Sequence, residues 1–312
     1  MDIFTLTLNP AFDLHCEADA FVPYGETVIR PLRRDAGGKG INVSRTLSVF
    51  GVKSTAYVLV GRDNRREYEN ALYGEEFYLS AYPIDGRIRE NVTLHTAGKP
   101  ETRLRFPGFS VSDAVVGQIF AQIAGSGPHR GDCFVFSGSV PPGVSRTAVT
   151  ERLCALRERG LRMVLDSVFL DAQDIAAVSP FLIKPNEEEA CRLFGIRPGD
   201  DRELLRAAMR FCREGHVGRI LLSRGERGAW LLSSLWAVEA TAPRVAALSA
   251  VGAGDSSLAG YLFAMARGKD EKECLRHAVA AGTAACMTEG TLPPAAEDMK
   301  RCLAGVTVRD LC

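Results

Sequence analysis

Between residues 107 and 287 the sequence alternates short apolar runs with longer amphipathic ones, and each apolar run stops at a polar loop. Residues 133 to 136, Cys-Phe-Val-Phe, lead into Ser137-Gly-Ser-Val-Pro-Pro-Gly143, and residues 161 to 165 lead into Asp166-Ser167. Residues 181 to 183 run into Lys184-Pro-Asn-Glu-Glu-Glu189, and residues 220 to 222 into Ser223-Arg-Gly225, with a short hairpin around Gly228 behind it. A strand without polar alternation is covered on both faces, and strict strand-helix repetition requires a parallel sheet with right-handed crossovers. Ligands of such sheets bind at the carboxyl ends of the strands. Polar residues at every strand end therefore predict one crevice along one sheet edge.

The first hundred residues break this rhythm. A β-rich run at residues 3 to 8 ends at Asn9-Pro10, and Asp13 follows. Taken alone, Asp13 fits an Asx turn as well as a carboxylate that holds a polar ligand. Residues 14 to 34 are strand-like and interrupted by Pro23-Tyr-Gly25, which predicts a small sheet inserted before the first helix. Next comes Asp35-Ala-Gly-Gly-Lys-Gly-Ile-Asn42, where Gly37 and Gly38 let backbone approach a ligand. Lys39 and Asn42 offer a cation and an amide from the same helix start, a combination suited to a polyhydroxy or phosphorylated ligand. Residues 54 to 60 read as a strand and 65 to 79 as a solvated helix. Residues 89 to 95 and 101 to 106 alternate on either side of Gly98-Lys-Pro100, the pattern of a hairpin. Its period of two sets Arg103 with Arg105 on one face and Arg89 with Asn91 on one face of the partner strand. The arginines between 87 and 105 fit a phosphate grip and a solvated edge sheet equally well.

Near the other end, Ser249-Ala-Val-Gly-Ala-Gly-Asp-Ser256 precedes a helical apolar run. Gly252, Ala253 and Gly254 allow a sharp turn, and Asp255 falls in the first helical turn, beside free N–H groups that attract anions. An ordinary helix cap accounts for the same residues. The spacing matches neither a P-loop nor a dinucleotide fingerprint. A further helix over 274 to 287 sets Ala278, Ala281, Gly282 and Ala285 against a close neighbour.

Composition narrows the partners. With 38 basic and 38 acidic residues, no overall field favours nucleic acid or an anionic membrane, so any anion site is local. The nine cysteines form no C-x-x-C pair, and this pattern predicts reduced thiols in a cytoplasmic protein. The five histidines are isolated and read as structural or surface residues. No apolar stretch reaches 18 residues, and no leader pattern precedes the first strand.

Five of these segments occur together, in order: Thr7-Leu-Asn-Pro-Ala-Phe-Asp13, Ala36-Gly-Gly-Lys-Gly-Ile-Asn-Val43, Ser137 to Gly143, Ile183 to Glu189, and Val251-Gly-Ala-Gly-Asp-Ser256. The set resembles the ribokinase-like PfkB carbohydrate kinases, above all their 1-phosphofructokinase and tagatose-6-phosphate kinase branch. The resemblance implies a three-layer α/β/α sandwich with a mostly parallel central sheet. It also implies one kinase domain over residues 1–312, with a β lid from about 12–35 and 88–107. The implied reaction uses ATP and Mg²⁺ to phosphorylate a ketohexose phosphate, with fructose 1-phosphate foremost and tagatose 6-phosphate or fructose 6-phosphate also open. Asp255 is then the base, expected to be ionised, and residues 252 to 254 form the anion hole. Asp13 holds the sugar, with Gly37, Gly38, Lys39 and Asn42 beside it. Arg89, Asn91 and Ser139, helped by Lys39 and Arg105, hold the acceptor's phosphate. Lys184 and Asn186 meet the triphosphate, Glu189 acts indirectly on Mg²⁺, and Ser223, Gly225, Gly228 and Gly282 serve the nucleotide. A homodimer through the lid is expected, without nucleic-acid or membrane partners. Departures from the family pattern occur in residues 61–66, after Ser167 and at Thr102-Arg-Leu-Arg105, in or near the lid, so they bear on the acceptor. A kinase of an unphosphorylated sugar or nucleoside, or a silent sugar-phosphate sensor, are the rival readings.

Overall fold

Strands whose every residue is apolar need cover on both sides, and the chain supplies it. The computed structural model describes residues 1–311. Its first part contains β1 (Ile3–Thr7), β2 (Ala11–Ala18), β3 (Arg30–Gly37), α1 (Lys39–Val49), β4 (Thr55–Gly61), α2 (Arg65–Ala71), β5 (Tyr78–Ile84), β6 (Arg89–Thr96) and β7 (Thr102–Arg105). The alternating part follows with α3 (Asp113–Gly125), β8 (Cys133–Ser137), α4 (Arg146–Glu158), β9 (Arg162–Asp166), α5 (Ala172–Val178), β10 (Leu182–Ile183), α6 (Glu187–Phe194), α7 (Asp201–Arg213) and β11 (Arg219–Ser223). The chain closes with β12 (Ala229–Leu232), β13 (Ala237–Thr241), α8 (Ala253–Ala266), α9 (Glu271–Ala285), α10 (Ala296–Gly305) and β14 (Thr307–Asp310).

Ten strands form the large sheet in the order β14-β13-β12-β11-β10-β9-β8-β1-β4-β5. From β11 to β5 every pairing is parallel, and β12, β13 and β14 add antiparallel strands at one edge. In β8 the alternation selects the layers: Phe134 and Phe136 enter one core, and Cys133 and Val135 the other. The first core is closed by α3 to α7, the second by α1, α8, α9 and α10, giving the expected three layers. From β1 the chain winds outward to β4 and β5, whereas β8 opens the opposite series on the other side of β1. Such a reversal leaves a crevice between the carboxyl ends of the two central strands.

A separate four-stranded sheet has the order β3-β2-β6-β7. Its β2 and β6 run parallel, and their pairing sets Asp13 opposite Asn91 although the two are far apart in sequence.

Two elements depart from the sequence expectation. The helix foreseen over 65–79 stops at Ala71, and the chain turns through Gly74 and then forms β5. On the sheet's edge β5 is only half covered, so its sequence carries no continuous apolar run. The short edge strand β14 gave no signal for the same reason. Among the described residues, the eight cysteines are free and mostly buried, in keeping with reduced thiols. Among the described residues, no helix is long and apolar enough to cross a membrane.

The tightest helix contact supports α8, whose first turn borders the crevice. A Cβ on Gly260 would stand 2.4 Å from the carbonyl oxygen of His277 on α9, backbone that cannot swing aside. Gly260→Ala should therefore destabilise the protein by about 1–3 kcal/mol, although alanine favours helix by about 1 kcal/mol. Urea denaturation reads the difference, and an unchanged midpoint would mean that α8 and α9 separate freely.

Candidate active site

Asp166, at the end of β9, is almost fully buried and gathers partners from three directions, two of them ammonium groups. Lys39, from the start of α1, donates to its Oδ1 at 3.1 Å. Lys184, just past β10, places its Nζ 3.7 Å from the same oxygen. The Ser137 hydroxyl, at the end of β8, donates to Oδ2 at 3.3 Å. Burial pushes the Asp166 carboxyl upward, but Lys184, Lys39 and the Ser137 hydrogen bond outweigh it and hold it below the usual carboxylate value. For Lys39 burial acts downward, yet Asp166, Asp255 and Glu189 leave its ammonium group more firmly charged than usual.

Asp255 faces this group from the first turn of α8. The Asn42 amide donates to its Oδ2 at 2.8 Å. Burial, reinforced by the Asp166 carboxylate, raises its pKa from 3.8 to about 6 against the pull of Lys39, Asn42 and Lys184. A carboxyl at a helix start is expected to be ionised, and above about pH 6 it still is, but desolvation raises its pKa toward the physiological range. Gly252 caps α8 at φ 79° without a side-chain hydrogen bond, so the first-turn N–H groups keep no side-chain partner. Gly254 lets the Lys184 ammonium approach, since a Cβ there would lie 3.2 Å from Nζ.

Asp13 and Asn91 lie on the small sheet. The Asn91 amide donates to Asp13 Oδ1 at 2.9 Å. Burial raises the Asp13 carboxyl above its ordinary value, with Asn91, His15 and Arg89 opposing. Gly37 packs on the same carboxylate, and the Tyr68 hydroxyl fixes its carbonyl at 2.7 Å. Gly38 caps α1 at φ 135°. A cavity of about 570 Å³ extends from Asp13 and Asn91 past Arg105 to Gly290 and Thr291. Buried Asn42 Oδ1, Asn91 Oδ1 and Thr291 Oγ1 lack hydrogen-bond partners. Orphaned acceptors of this kind suit the hydroxyl groups of a bound ligand.

Other expected residues are committed within the protein. Arg89 donates to the carbonyls of Asn9 and Pro10 at 3.2 and 3.3 Å, and the Asn9 amide donates to Ser139 Oγ at 3.1 Å. Asn186 and Glu189 form a reciprocal capping box at the start of α6, with bonds of 2.8 and 2.9 Å. Lys184 and Glu189 border a second cavity of about 440 Å³ that Ser223, Gly225 and Gly228 do not line. Ser223 bridges Asn186 through backbone, and Gly225 and Gly228 flank the turn that follows. Between Ser223 and Gly225, buried Arg224 reaches Glu187, Asp201 and Glu239 and lies 3.8 Å over the Trp230 ring. Gly282 on α9 meets α8 where a Cβ would stand 3.2 Å from the Ala253 carbonyl oxygen.

Three residues escaped the sequence reading. Asp166 was noted only as a strand end, and its position closing an apolar run was the available signal. His15 and His95, read as structural or surface residues, line the large cavity on the polar face of β2 and β6. The alternation of Asp13 with His15 carried that information.

A doubly wound sheet with a buried carboxylate, paired lysines and an uncapped helix start at its switch point defines a phosphotransferase acting on a hydroxyl group. The model of the pfkB family carbohydrate kinases matches residues 11–298, and the chain belongs to that family. It is 30% identical over 292 residues to the D-tagatose-1-phosphate kinase of Bacillus licheniformis, covering 92% of this chain and 93% of the relative. It is also 30% identical to the 1-phosphofructokinase of Escherichia coli, over 89% of this chain and 88% of that one. Among solved structures, phosphofructokinase-2 from Escherichia coli in complex with substrates and products superposes with a TM-score of 0.89 at 27% identity, covering 98% and 99% of the two chains.

The raised Asp255 has a consequence for stability. A carboxyl whose pKa is raised by folding stabilises the fold only while protonated, fully below pH 3.8, and this contribution is lost as pH rises through about 6. At pH 7.5 the ionised group is a burden, so Asp255→Asn should be more stable than the parent by on the order of 1–3 kcal/mol. The advantage should shrink toward pH 4.5. Denaturation at both pH values measures it, and a variant less stable at pH 7.5 would contradict the assignment.

Proposed function

We infer that the protein is an ATP-dependent sugar-phosphate kinase, transferring the γ-phosphoryl group to a hydroxyl of a ketohexose phosphate. Fructose 1-phosphate is the first acceptor to consider, giving fructose 1,6-bisphosphate, followed by tagatose 6-phosphate and fructose 6-phosphate. The observation that carries this reading is Asp255: buried, held by Asn42, raised to about 6, and set beside two ammonium groups and an uncapped helix start. In the proposed step, the acceptor hydroxyl gives its proton to Asp255 as its oxygen bonds to the γ-phosphorus, and the bond from that phosphorus to the β-γ bridging oxygen breaks, releasing ADP. Phosphoryl transfer passes through a loose transition state, so positioning and charge stabilisation dominate over base strength. The first-turn N–H groups of α8 and the ammonium groups of Lys39 and Lys184 stabilise charge on the transferred group.

Residues 1–312 act as one kinase domain, with the small sheet as a lid that excludes water. Asp13 and Asn91 hold sugar hydroxyls, with Asn42 and the Gly37-Gly38 backbone alongside. Arg89, Ser139, Lys39 and Arg105 receive the acceptor's phosphate. Lys184, Asn186, Ser223, Gly225, Gly228 and Gly282 serve ATP. The donor set suits Mg²⁺ held chiefly by phosphate oxygens, because Glu189 has one carboxylate oxygen outside its capping box. When bound, Mg²⁺ supplies neutralisation of the triphosphate charge. A second reading, a kinase of an unphosphorylated sugar, draws on the engagement of Arg89 with two backbone carbonyls.

A coupled assay with a panel of sugars and sugar phosphates separates the two readings. Asp255→Asn should lower kcat by roughly 10²- to 10⁴-fold on every acceptor. Arg89→Ala should cost roughly 10- to 200-fold in kcat/KM on the phosphosugar and far less on the free sugar, because only the phosphosugar loses a charge-assisted contact. Equal losses, or a wild-type preference for the free sugar, would favour the second reading.

A homodimer through the lid is also proposed. Val28, Leu32 and Phe106 of the small sheet and its connections are exposed, as expected of an apolar surface awaiting cover. Light scattering at micromolar concentration should give twice the chain mass, and a fully active monomer would remove the proposal.

A further inference from the structure

The register of the small sheet sorts its cavity face into rows. Across β3, β2, β6 and β7, Asp35, Asp13, Asn91 and Arg105 stand opposite one another. Two residues back along β2, the row is Gly37, Ala11 and Arg89. Two residues forward, it is Arg33, His15, Thr93 and Arg103, all four of which line the cavity of about 570 Å³. A period of two keeps these rows on one face, and a step of two residues spans about 6.6 Å. The sugar-holding carboxylate thus lies between two cationic positions. Arg89 is on one side, and a row of hydrogen-bond donors is on the other, at the scale of a six-carbon chain.

Within the forward row the arginines are already engaged. Arg33 donates to Asp35 at 2.7 Å and to the Glu289 carbonyl at 3.0 Å, and Arg103 donates to Glu101 at 3.0 Å. His15 has no hydrogen bond among the described residues. Its ring stacks on that of His95 with centroids 6.0 Å apart and planes inclined by 17°. It also packs over Gly290, where a Cβ would come within 2.7 Å of Nε2. The imidazole is therefore held in place at the cavity wall while its polar atoms remain unused.

We propose that His15 is a specificity-determining residue of the acceptor site, binding as imidazolium, with Thr93 and Arg103, the phosphate of a sugar phosphate directed away from Arg89. This rests on the sugar-phosphate kinase reading and deepens it, because the choice between Arg89 and His15 is a choice of which end of the sugar carries the phosphate. Burial and then the Arg33 guanidinium hold the imidazole below its ordinary pKa of 6.5, with His95 in the same sense and Asp35 and Asp13 opposing. Glu101, Arg103, Arg105 and Glu289 are the other charged groups on the same cavity wall. The free protein consequently carries His15 mainly neutral at pH 7.5. A phosphate dianion favours the charged form, so binding takes up a proton and strengthens as pH falls.

KM for each phosphosugar and for its free sugar, measured from pH 6 to 8 in wild type, His15→Gln and Arg89→Ala, tests the proposal. The ratio between variants cancels the titration of the phosphosugar itself. For the phosphosugar that His15 recognises, His15→Gln should raise KM roughly 10-fold at pH 6, with a shrinking ratio toward pH 8 and kcat changed less than KM. A ratio independent of pH, or equal increases for free sugar and phosphosugar, would overturn it. Proton NMR of the imidazole resonance, assigned by its loss in His15→Gln, gives a reading independent of turnover. Adding that phosphosugar, or inorganic phosphate alone if no sugar phosphate is turned over, should shift the His15 titration to higher pH. An unmoved titration would overturn the proposal, whereas a shifted titration without turnover would leave the anion site standing and remove the kinase reading.

Discussion

The Asp166 carboxylate, shared by the ammonium groups of Lys39 and Lys184, is the interaction on which the crevice depends. These groups come from the end of β9, the start of α1 and the residue after β10, so the ion cluster ties the start of α1 to two strands that already pair with each other. Burying several charges at once is costly, and such a cluster is tolerable only when each charge has its partner. Here two carboxylates, Asp166 and Asp255, face two ammonium groups. The balance is uneven, because Asp166 takes the direct contacts and is held charged, whereas Asp255 receives the Asn42 amide and repulsion from Asp166. One acid anchors the lysines, and the other is left with a pKa suited to accepting a proton.

Rigidity around this cluster comes from elsewhere. Past the end of β11, Arg224 joins Glu187 of α6, Asp201 of α7 and Glu239 of β13, while Arg309 of β14 also reaches Glu239. This network fixes the turn after β11 from below, using charges that never face the crevice. Along α8, the close approach of α9 to Gly260 sets the height of the helix and therefore the position of Asp255. Both supports lie on the large sheet and its helices, whose central strands are buried on both faces.

The small sheet is built differently. One face holds a modest apolar cluster around Cys16, Ala18, Val92 and Leu94. Its other face is lined with ionisable residues from all four strands, many of them paired only with each other or with the 289–290 loop. A sheet with so little core of its own depends on what it meets, whether the body of the protein or another surface. Register decides what such a face presents, because each two-residue step along β2 replaces one row of chemistry by another.

Much of this architecture was legible in the sequence. Apolar runs ending in polar loops determined the parallel sheet and the edge that carries the site, because burial on both faces leaves no other pattern for a strand such as β8. Gly-Gly-Lys-Gly and Gly-Ala-Gly-Asp marked the two helix starts, since glycine at those turns reflects local backbone geometry. The edge strands β5 and β14 were not legible, because half-covered strands lose the apolar signature. Nor was the part played by Asp166, which depends on two lysines arriving from distant segments. The raised pKa of Asp255 is likewise a tertiary effect: the helix start is visible in the sequence and favours the anion, but burial against Asp166 is created only when α8 packs across the sheet. His15 looked like an isolated histidine until the parallel pairing of β2 with β6 set it opposite Thr93 and beside Asp13. Local sequence determined which backbone segments would bend and which would be buried, whereas the charge state and company of each site residue were decided by folding, because desolvation and Coulomb interactions act through space between residues the chain keeps far apart.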